Sequence, residues 1–381
     1  MILLPDDFVV TPWEVSGDID YDRLIERFGT QKIDDELVAR LVKHTGEMHT
    51  MLRRGIFYSH RDLNLILDDH EKGRGFVMYT GRGPSGHTHL GHLMPWIFTK
   101  YLQDRFGVEL YFQLTDDEKF LFLPELSLED TKNFAYENAL DIIALGFDKD
   151  KTRIFLDTEY AHQMYNIALK VAKKVTFSTA KAVFGFDNSN NIGSIWFTSM
   201  QAATAFLPSV LKGENIRCVI PCAIDQDPHF RVARDIAEGI GFYKPALLHC
   251  KMLPSLAGSD KMSASLPSTS IFTVDSAGDI KKKIGNAFTG GAVSVDEQRK
   301  NGGNPDICSV YQYFYYIFEE DDAKLDDRWA KCRSGEILCG ECKGDLTACV
   351  TGFVAKHQEK REKARDVVEE FMLRDCQGGD D

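Results

Sequence analysis

Two histidines flank a leucine and a glycine in segment 89–92, which reads His-Leu-Gly-His. The segment follows an apolar run at 76–80 and a turn with three glycines at 81–86, and an apolar pattern typical of a helix comes next. Glycine allows close approach to the backbone, and a helix start offers free N–H groups and a positive dipole end to anions. The segment therefore predicts a phosphate-binding turn in which imidazoles act as donors, although its glycine spacing fits neither a Walker loop nor a dinucleotide fingerprint.

A second polar segment, Gly258 to Pro267, contains the run Lys261-Met262-Ser263-Ala264-Ser265. A lysine and small hydroxyl side chains on a loop can close over a triphosphate and neutralise the charge that develops as pyrophosphate leaves. Each segment alone is also compatible with an ordinary surface loop. Their occurrence in this order around one predicted sheet favours a nucleotide site.

The elements that must position these segments alternate between strand and helix from Gly75 onward, which is typical of a doubly wound parallel sheet. We therefore expect an α/β fold with a Rossmann-type catalytic domain. The predicted strands are Phe76–Thr80, Glu109–Leu114, Thr152–Leu156 and Cys218–Ile224, and the predicted helices between them are Leu93–Phe106, Leu128–Leu145, His162–Val175 and Phe230–Ile240.

Other patterns flank this region. A small hairpin at Phe8–Val10 and Trp13–Val15 and helices at Tyr21–Phe28 and Asp34–His44 predict a short N-terminal extension, and helical patterns dominate after Lys261. We predict an N-terminal extension at 1–60, the catalytic domain at 61–270 and an α-helical domain at 271–381. The predicted C-terminal helices are Ser276–Phe288, Val310–Phe318 and Lys343–Leu373.

The composition is that of a folded protein, with 43% hydrophobic and 27% charged residues in 381. Pro5 and Asp6 interrupt the first apolar residues, and the longest uncharged run, 188–211, is rich in Asn, Ser and Thr. Neither a signal peptide nor a membrane span is expected, which predicts a cytoplasmic location. The net charge of −13 does not itself favour a nucleic-acid partner, since local basic runs such as 281–283 also suit a solvated face.

The nine cysteines include a cluster at Cys332, Cys339, Cys342 and Cys349. Cys339 and Cys342 form one short pair, but a structural zinc site usually needs two such pairs. Spacings of three and seven also place thiols on one helical face, where cysteine packs as a small hydrophobe. Core packing is the favoured interpretation, and no metal ligand is predicted.

The paired segments resemble the HIGH and KMSKS signatures of class I aminoacyl-tRNA synthetases. Further matches, at 20–29, 52–62, 113–119 and 221–231, resemble cytosolic tryptophanyl-tRNA synthetases of the eukaryotic and archaeal type, and the resemblance extends from about residue 7 to about 372. Thr88 departs from the class I signature, which usually has an apolar residue there. We expect no helix-turn-helix domain of the kind found at the N-terminus of animal members, and the sequence therefore predicts no role in partner assembly.

The resemblance implies ligation of tryptophan to tRNA(Trp), through an adenylate formed from L-tryptophan and ATP, with Mg²⁺ entering on ATP. A homodimer is implied, and the C-terminal helices would read the anticodon. His89, His92, Lys261 and Ser263 would be catalytic. The implied ATP-binding residues are Arg82, Gly83, His89, Gly91, His92, Asp225, Lys261, Met262, Ser263 and Ser265.

Tryptophan would be bound by residues scattered along the chain. Tyr79 and Gln113 would lie near the indole N–H, a buried donor that needs an acceptor. The remaining residues implied for the amino acid are Glu118, Lys119, Gln201 and Gln226. Two alternatives stay open from the residues alone: a tyrosyl-tRNA synthetase, which shares the fold and both loops, and a non-catalytic tRNA- or nucleotide-binding paralogue.

Overall fold

The computed structural model describes residues 8–10, 15–17, 19–258, 262 and 266–374. Seven strands form one sheet in the order β3-β4-β9-β8-β5-β6-β7, and two form a separate antiparallel pair. The strands are β1 (Phe8–Val10), β2 (Val15–Gly17), β3 (Gln31–Lys32), β4 (Phe57–Arg61), β5 (Phe76–Arg82), β6 (Leu110–Leu114), β7 (Thr152–Leu156), β8 (Arg217–Ala223) and β9 (Ala246–Cys250).

The five strands from β9 to β7 are parallel, which confirms the predicted doubly wound sheet. The edge differs from the prediction, because β4 runs antiparallel to β9 and β3 antiparallel to β4. The four predicted strands are present, shifted by no more than two residues at either end. Strands β3, β4 and β9 were not predicted.

Helices cover both faces of this sheet because successive strand residues point to opposite sides. Met78, Phe112 and Ile154 belong to the larger hydrophobic core on one face. Tyr79 and Phe155 belong to the core on the other face.

The predicted helices are present, several of them with earlier starts, but eight further α-helices in the described residues were not predicted. The predicted helix 343–373 is two helices, and the segment 314–318 is a π-helical turn rather than a continuation of the preceding helix. The α-helices are α1 (Tyr21–Phe28), α2 (Asp35–Thr45), α3 (Thr50–Arg53), α4 (Leu63–Glu71), α5 (Leu90–Phe106), α6 (Asp116–Phe122), α7 (Leu128–Ala144), α8 (Asp157–Ala172), α9 (Phe177–Phe184), α10 (Ile192–Thr204), α11 (Leu207–Lys212), α12 (Asp227–Ala237), α13 (Ala277–Gly285), α14 (Val295–Asn301), α15 (Ser309–Tyr313), α16 (Asp322–Ser334), α17 (Cys339–Ala364) and α18 (Val368–Phe371).

Both flanking segments are joined to the sheet region. The β1–β2 pair agrees with the predicted hairpin, and its Trp13 lies outside the described residues. Strands β3 and β4 extend the main sheet, so residues 31–61 contribute to the structure that holds the site. On the C-terminal side, His357 Nε2 of α17 lies 3.0 Å from Asp141 Oδ1 of α7, and both side chains are buried. None of the helices in the described part of the chain is long and apolar enough to cross a membrane.

Candidate active site

A cavity of about 490 Å³ opens at the carboxyl ends of β5, β8 and β9, where open α/β sheets bind ligands. Gln113 lies beneath its wall, fully buried, and Lys261, Ser263 and Ser265 fall outside the described residues. The other residues predicted for the site all line this cavity: Tyr79, Arg82, Gly83, His89, Gly91, His92, Glu118, Lys119, Gln201, Asp225, Gln226 and Met262.

The histidine segment begins α5. His89 is the residue before the first helical turn, and its backbone N–H donates to His92 Nδ1 over 3.2 Å. The two imidazole rings stack, with centroids 3.5 Å apart and planes 21° from parallel. This arrangement holds both rings at the positive end of a 17-residue helix, beside the cavity.

The chain that follows the lysine segment pairs with the histidine segment. Thr273 N donates to Thr88 O over 2.9 Å, and Leu90 N donates to Ile271 O over 3.0 Å. Met262 reaches the same place, since a Cβ built on Gly91 would lie 3.5 Å from Met262 Cβ. The two segments that carry the predicted chemistry are therefore adjacent.

Arg82 places a cation in the cavity wall. Its Nη1 donates to Gly83 O, whereas its Nε and Nη2 are buried without a hydrogen-bond partner among the described residues. Burial lowers the Arg82 pKa to about 10, which still leaves the guanidinium charged at neutral pH. These two buried nitrogens are unsatisfied hydrogen-bond donors, which are costly in free energy, and an anionic ligand could accept from both.

Glu118 and Lys119 form an ion pair beside this arginine. Lys119 Nζ lies 2.6 Å from Glu118 Oε1, and Thr115 Oγ1 donates to Glu118 Oε2 over 2.5 Å. Burial alone would raise the Glu118 pKa, but Lys119 and Thr115 outweigh it and the pKa is lowered. A Cβ on Gly83 would lie 2.2 Å from Lys119 Cε, so glycine leaves the room this pair occupies.

A hydrogen-bond chain that begins at the cavity wall continues into the protein behind it. Gln201 Nε2 donates to Tyr79 OH over 2.9 Å, and the Tyr79 hydroxyl donates to Gln113 Oε1. Gln113 Nε2 in turn lies 2.8 Å from each carboxyl oxygen of Asp157. Tyr79 is 1% exposed, and Gln113 and Asp157 are equally buried, so solvent does not compete for these hydrogen bonds.

Several residues at or behind the cavity were not predicted, and four of these either hold a predicted site residue or have a shifted pKa. Thr115 holds Glu118, and Asp157 holds Gln113. Burial lowers the His229 pKa to about 4, which keeps this cavity-lining imidazole neutral at neutral pH. Lys251 directly follows the unpredicted strand β9, and burial lowers its pKa. Thr115 and His229 had a signal, since they lie in the runs 113–119 and 221–231.

The cysteine cluster is remote from this cavity. Cys332, Cys339 and Cys342 are half-buried and, with Cys308, line a void of about 20 Å³, whereas Cys349 is exposed. Cys342 Sγ accepts from Arg328 over 3.4 Å. Within the described residues no group of three His, Cys, Asp or Glu side chains has the geometry to hold a metal ion.

Comparison with known proteins gives the family. Residues 71–355 match the model of class I tRNA synthetases for W and Y. The tryptophan–tRNA ligase of Pyrobaculum calidifontis is 52% identical over 370 residues, covering 97% of this chain and 99% of that protein.

Solved structures agree with this assignment. The Plasmodium falciparum tryptophanyl-tRNA synthetase superposes with a TM-score of 0.87 at 41% identity, covering 93% of this chain and 98% of its own. The tryptophan-bound synthetase from Encephalitozoon cuniculi gives 0.84 at 39% identity, with the same coverage. The chain belongs to the class I aminoacyl-tRNA synthetases, in their tryptophanyl-tRNA synthetase family.

Proposed function

We propose that the chain activates L-tryptophan with ATP, releasing pyrophosphate, and transfers the tryptophanyl group to the 3′ end of tRNA(Trp). The observation that carries this proposal is that one cavity is lined both by the buried Arg82 guanidinium with the start of α5 and by the hydrogen-bonded side chains of Tyr79 and Gln201. The first group, here called the ATP end, suits a triphosphate, and the second, here called the amino-acid end, suits an indole.

In the first step, a carboxylate oxygen of tryptophan attacks the α-phosphorus of ATP, and the bond to the β-phosphate oxygen breaks. Pyrophosphate leaves with that electron pair, and Mg²⁺ entering with ATP would balance part of its charge. The protein contributes mainly position and charge, because no covalent enzyme intermediate is needed. In the second step, a ribose hydroxyl of the tRNA terminus attacks the adenylate and releases AMP.

The ATP end is assigned to the groups around α5. His89 and His92 lie at the helix start, and Arg82 presents two donors without partners among the described residues. Gly83 leaves room for the Lys119 side chain, and Gly91 leaves room for the His89 ring. Asp225, Gln226 and Met262 line the same cavity. Lys261, Ser263 and Ser265 are proposed, from the family signature, to contact the phosphates.

The amino-acid end is assigned to the Tyr79–Gln113 pair for the indole N–H. Gln201 Oε1 is a buried acceptor with no partner in the described chain, which suits the ammonium group of the substrate. Glu118, Lys119 and Gln226 are proposed to orient the ammonium and carboxylate.

The remaining assignments follow the family and are proposed for this chain. Residues 271–381 are assigned to an anticodon-binding domain, residues 61–270 to the catalytic domain and residues 1–60 to the N-terminal extension, of which β3 and most of β4 join the catalytic sheet. The enzyme acts as a homodimer in the cytoplasm.

Pyrophosphate–ATP exchange tests the proposal directly. The purified protein is expected to exchange label only when tryptophan is added, and to charge tRNA(Trp) afterwards. Exchange with tyrosine but not tryptophan would identify the tyrosyl alternative, and tRNA binding without exchange would identify the non-catalytic alternative.

A further inference from the structure

Asp157, the first residue of α8, lies directly behind the amino-acid end of the cavity. It is 1% exposed, and both its carboxyl oxygens are 2.8 Å from Gln113 Nε2. Neither Asp157 nor Gln113 lines the cavity, so the effect of Asp157 on a ligand passes through Gln113 to Tyr79, which does line it.

The direction of the hydrogen bonds depends on this contact. An amide offers an acceptor on one side and two donors on the other, and the two sides have nearly the same shape. Because Asp157 accepts from Nε2, Gln113 Oε1 faces Tyr79, and the Tyr79 hydroxyl donates to it. The Tyr79 oxygen then accepts from Gln201. The Tyr79 oxygen and Gln113 Oε1 then present lone pairs, and no proton, on the side of an indole N–H.

Reversing the Gln113 amide would reverse this polarity. Nε2 would donate to the Tyr79 oxygen, and the Tyr79 proton would have to point elsewhere, including into the cavity. A donor there would oppose the indole N–H. We propose that Asp157 is a positioning residue that fixes the Gln113 amide and thereby selects an amino acid whose ring donates an N–H group, an inference that rests on the function proposed above.

Asp117 holds Asp157 in turn. The two carboxyl groups hydrogen-bond to each other, which requires one proton between them, because two carboxylates have only acceptors. Burial raises the Asp117 pKa to about 6, and burial with the neighbouring Asp117 raises the Asp157 pKa well above its ordinary range. The higher pKa of Asp157 places the shared proton on the Asp157 oxygen that faces Asp117, and its other oxygen still accepts from Gln113 Nε2.

The test compares L-tryptophan with 3-benzothienyl-L-alanine, in which sulfur replaces the indole N–H. Pyrophosphate–ATP exchange is measured with each substrate, and the readout is kcat/KM for L-tryptophan divided by kcat/KM for the analogue. Asp157→Ala is expected to lower this ratio at least 10-fold, because nothing then fixes the amide. Asp157→Asn is expected to keep it within about 3-fold of the wild-type value, since its NH₂ can donate to Asp117 while its oxygen faces Gln113.

Two further variants separate positioning from stability. Asp157→Asn combined with Asp117→Ala leaves the new amide unheld and is expected to lose the ratio, which also serves if Asp157→Ala does not fold. Asp116→Asn removes an equally buried carboxyl that bonds Thr158 and is expected to leave the ratio unchanged.

A wild-type ratio in Asp157→Ala would overturn the inference. If Asp157→Ala does not fold, a wild-type ratio in the double variant would overturn it. Failure of the proposed function is distinguishable, because the wild-type protein would then show no tryptophan-dependent exchange.

Discussion

The two ends of the cavity hold their polar groups in different ways. At the ATP end, Arg82 keeps two buried donors without partners in the described chain. The Lys119 side chain packs closely against the backbone at Gly83, and the His89 ring does so at Gly91. At the amino-acid end, Tyr79 and Gln113 have their hydrogen bonds made within the protein. One end is built to receive charge, and the other keeps a fixed orientation of neutral groups.

This difference predicts that the ends fail separately. Arg82→Gln is expected to lower kcat/KM for ATP by about 10²–10³, because a preorganised donor to developing phosphate charge is lost, with little change in tryptophan affinity. Steady-state exchange against ATP and equilibrium binding of tryptophan measure the two effects. Arg105→Gln, which removes a partly exposed arginine paired with Glu47, is the control. Equal losses for both substrates would break the comparison.

At the amino-acid end, Tyr79→Phe is expected to weaken tryptophan about 10-fold and leave the KM for ATP unchanged. The change removes the hydroxyl that links Gln201 to Gln113, and a lost buried partner costs roughly 1–3 kcal/mol. Tyr111→Phe is a matched control, since Tyr111 is the register partner of Tyr79 on β6 and its hydroxyl contacts Glu109 instead. Calorimetric titration with tryptophan gives the comparison.

A smaller effect is expected behind the cavity, on stability alone. Arg61 Nε lies 2.7 Å from the buried Asp227, and His249 Nε2 lies 3.1 Å from the same carboxyl. Burial would raise the Asp227 pKa, but these partners lower it to about 2.

A carboxyl with a depressed pKa adds stability above the unfolded-state pKa and loses it as pH falls toward the folded value. Between pH 6 and pH 3, the stability difference between wild type and Asp227→Asn is therefore expected to shrink by about 1 kcal/mol. Urea unfolding at both pH values measures it. A difference that stays constant with pH would exclude this linkage.

The contrast also explains which parts of the site the sequence could predict. The ATP end rests on local features, a glycine turn and two histidines at the start of one helix, so spacing alone predicted a phosphate site. Tyr79, Gln113 and Gln201 are far apart in sequence and were identified only through the family. Asp157 had no signal, because its partner Gln113 is 44 residues away.

The same reasoning applies to the unpredicted strands. Strands β4 and β9 carry Ser59, His60 and His249, polar residues that hide the apolar pattern of a buried strand. Their polarity is satisfied after folding, since Ser59 Oγ lies 3.0 Å from His249 Nδ1 across the strand pair. Long-range partners of this kind are not visible in a local pattern.

The pairing of β4 with β9 has a consequence for the order of synthesis. Ser59 and His249 face each other although 190 residues separate them. At roughly 5–20 residues per second, a ribosome needs about 10 to 40 s to make β9 after β4 has been made. During that time the edge of β4 that later pairs with β9 has no partner strand. Its free backbone N–H and C=O groups can then pair with a wrong strand.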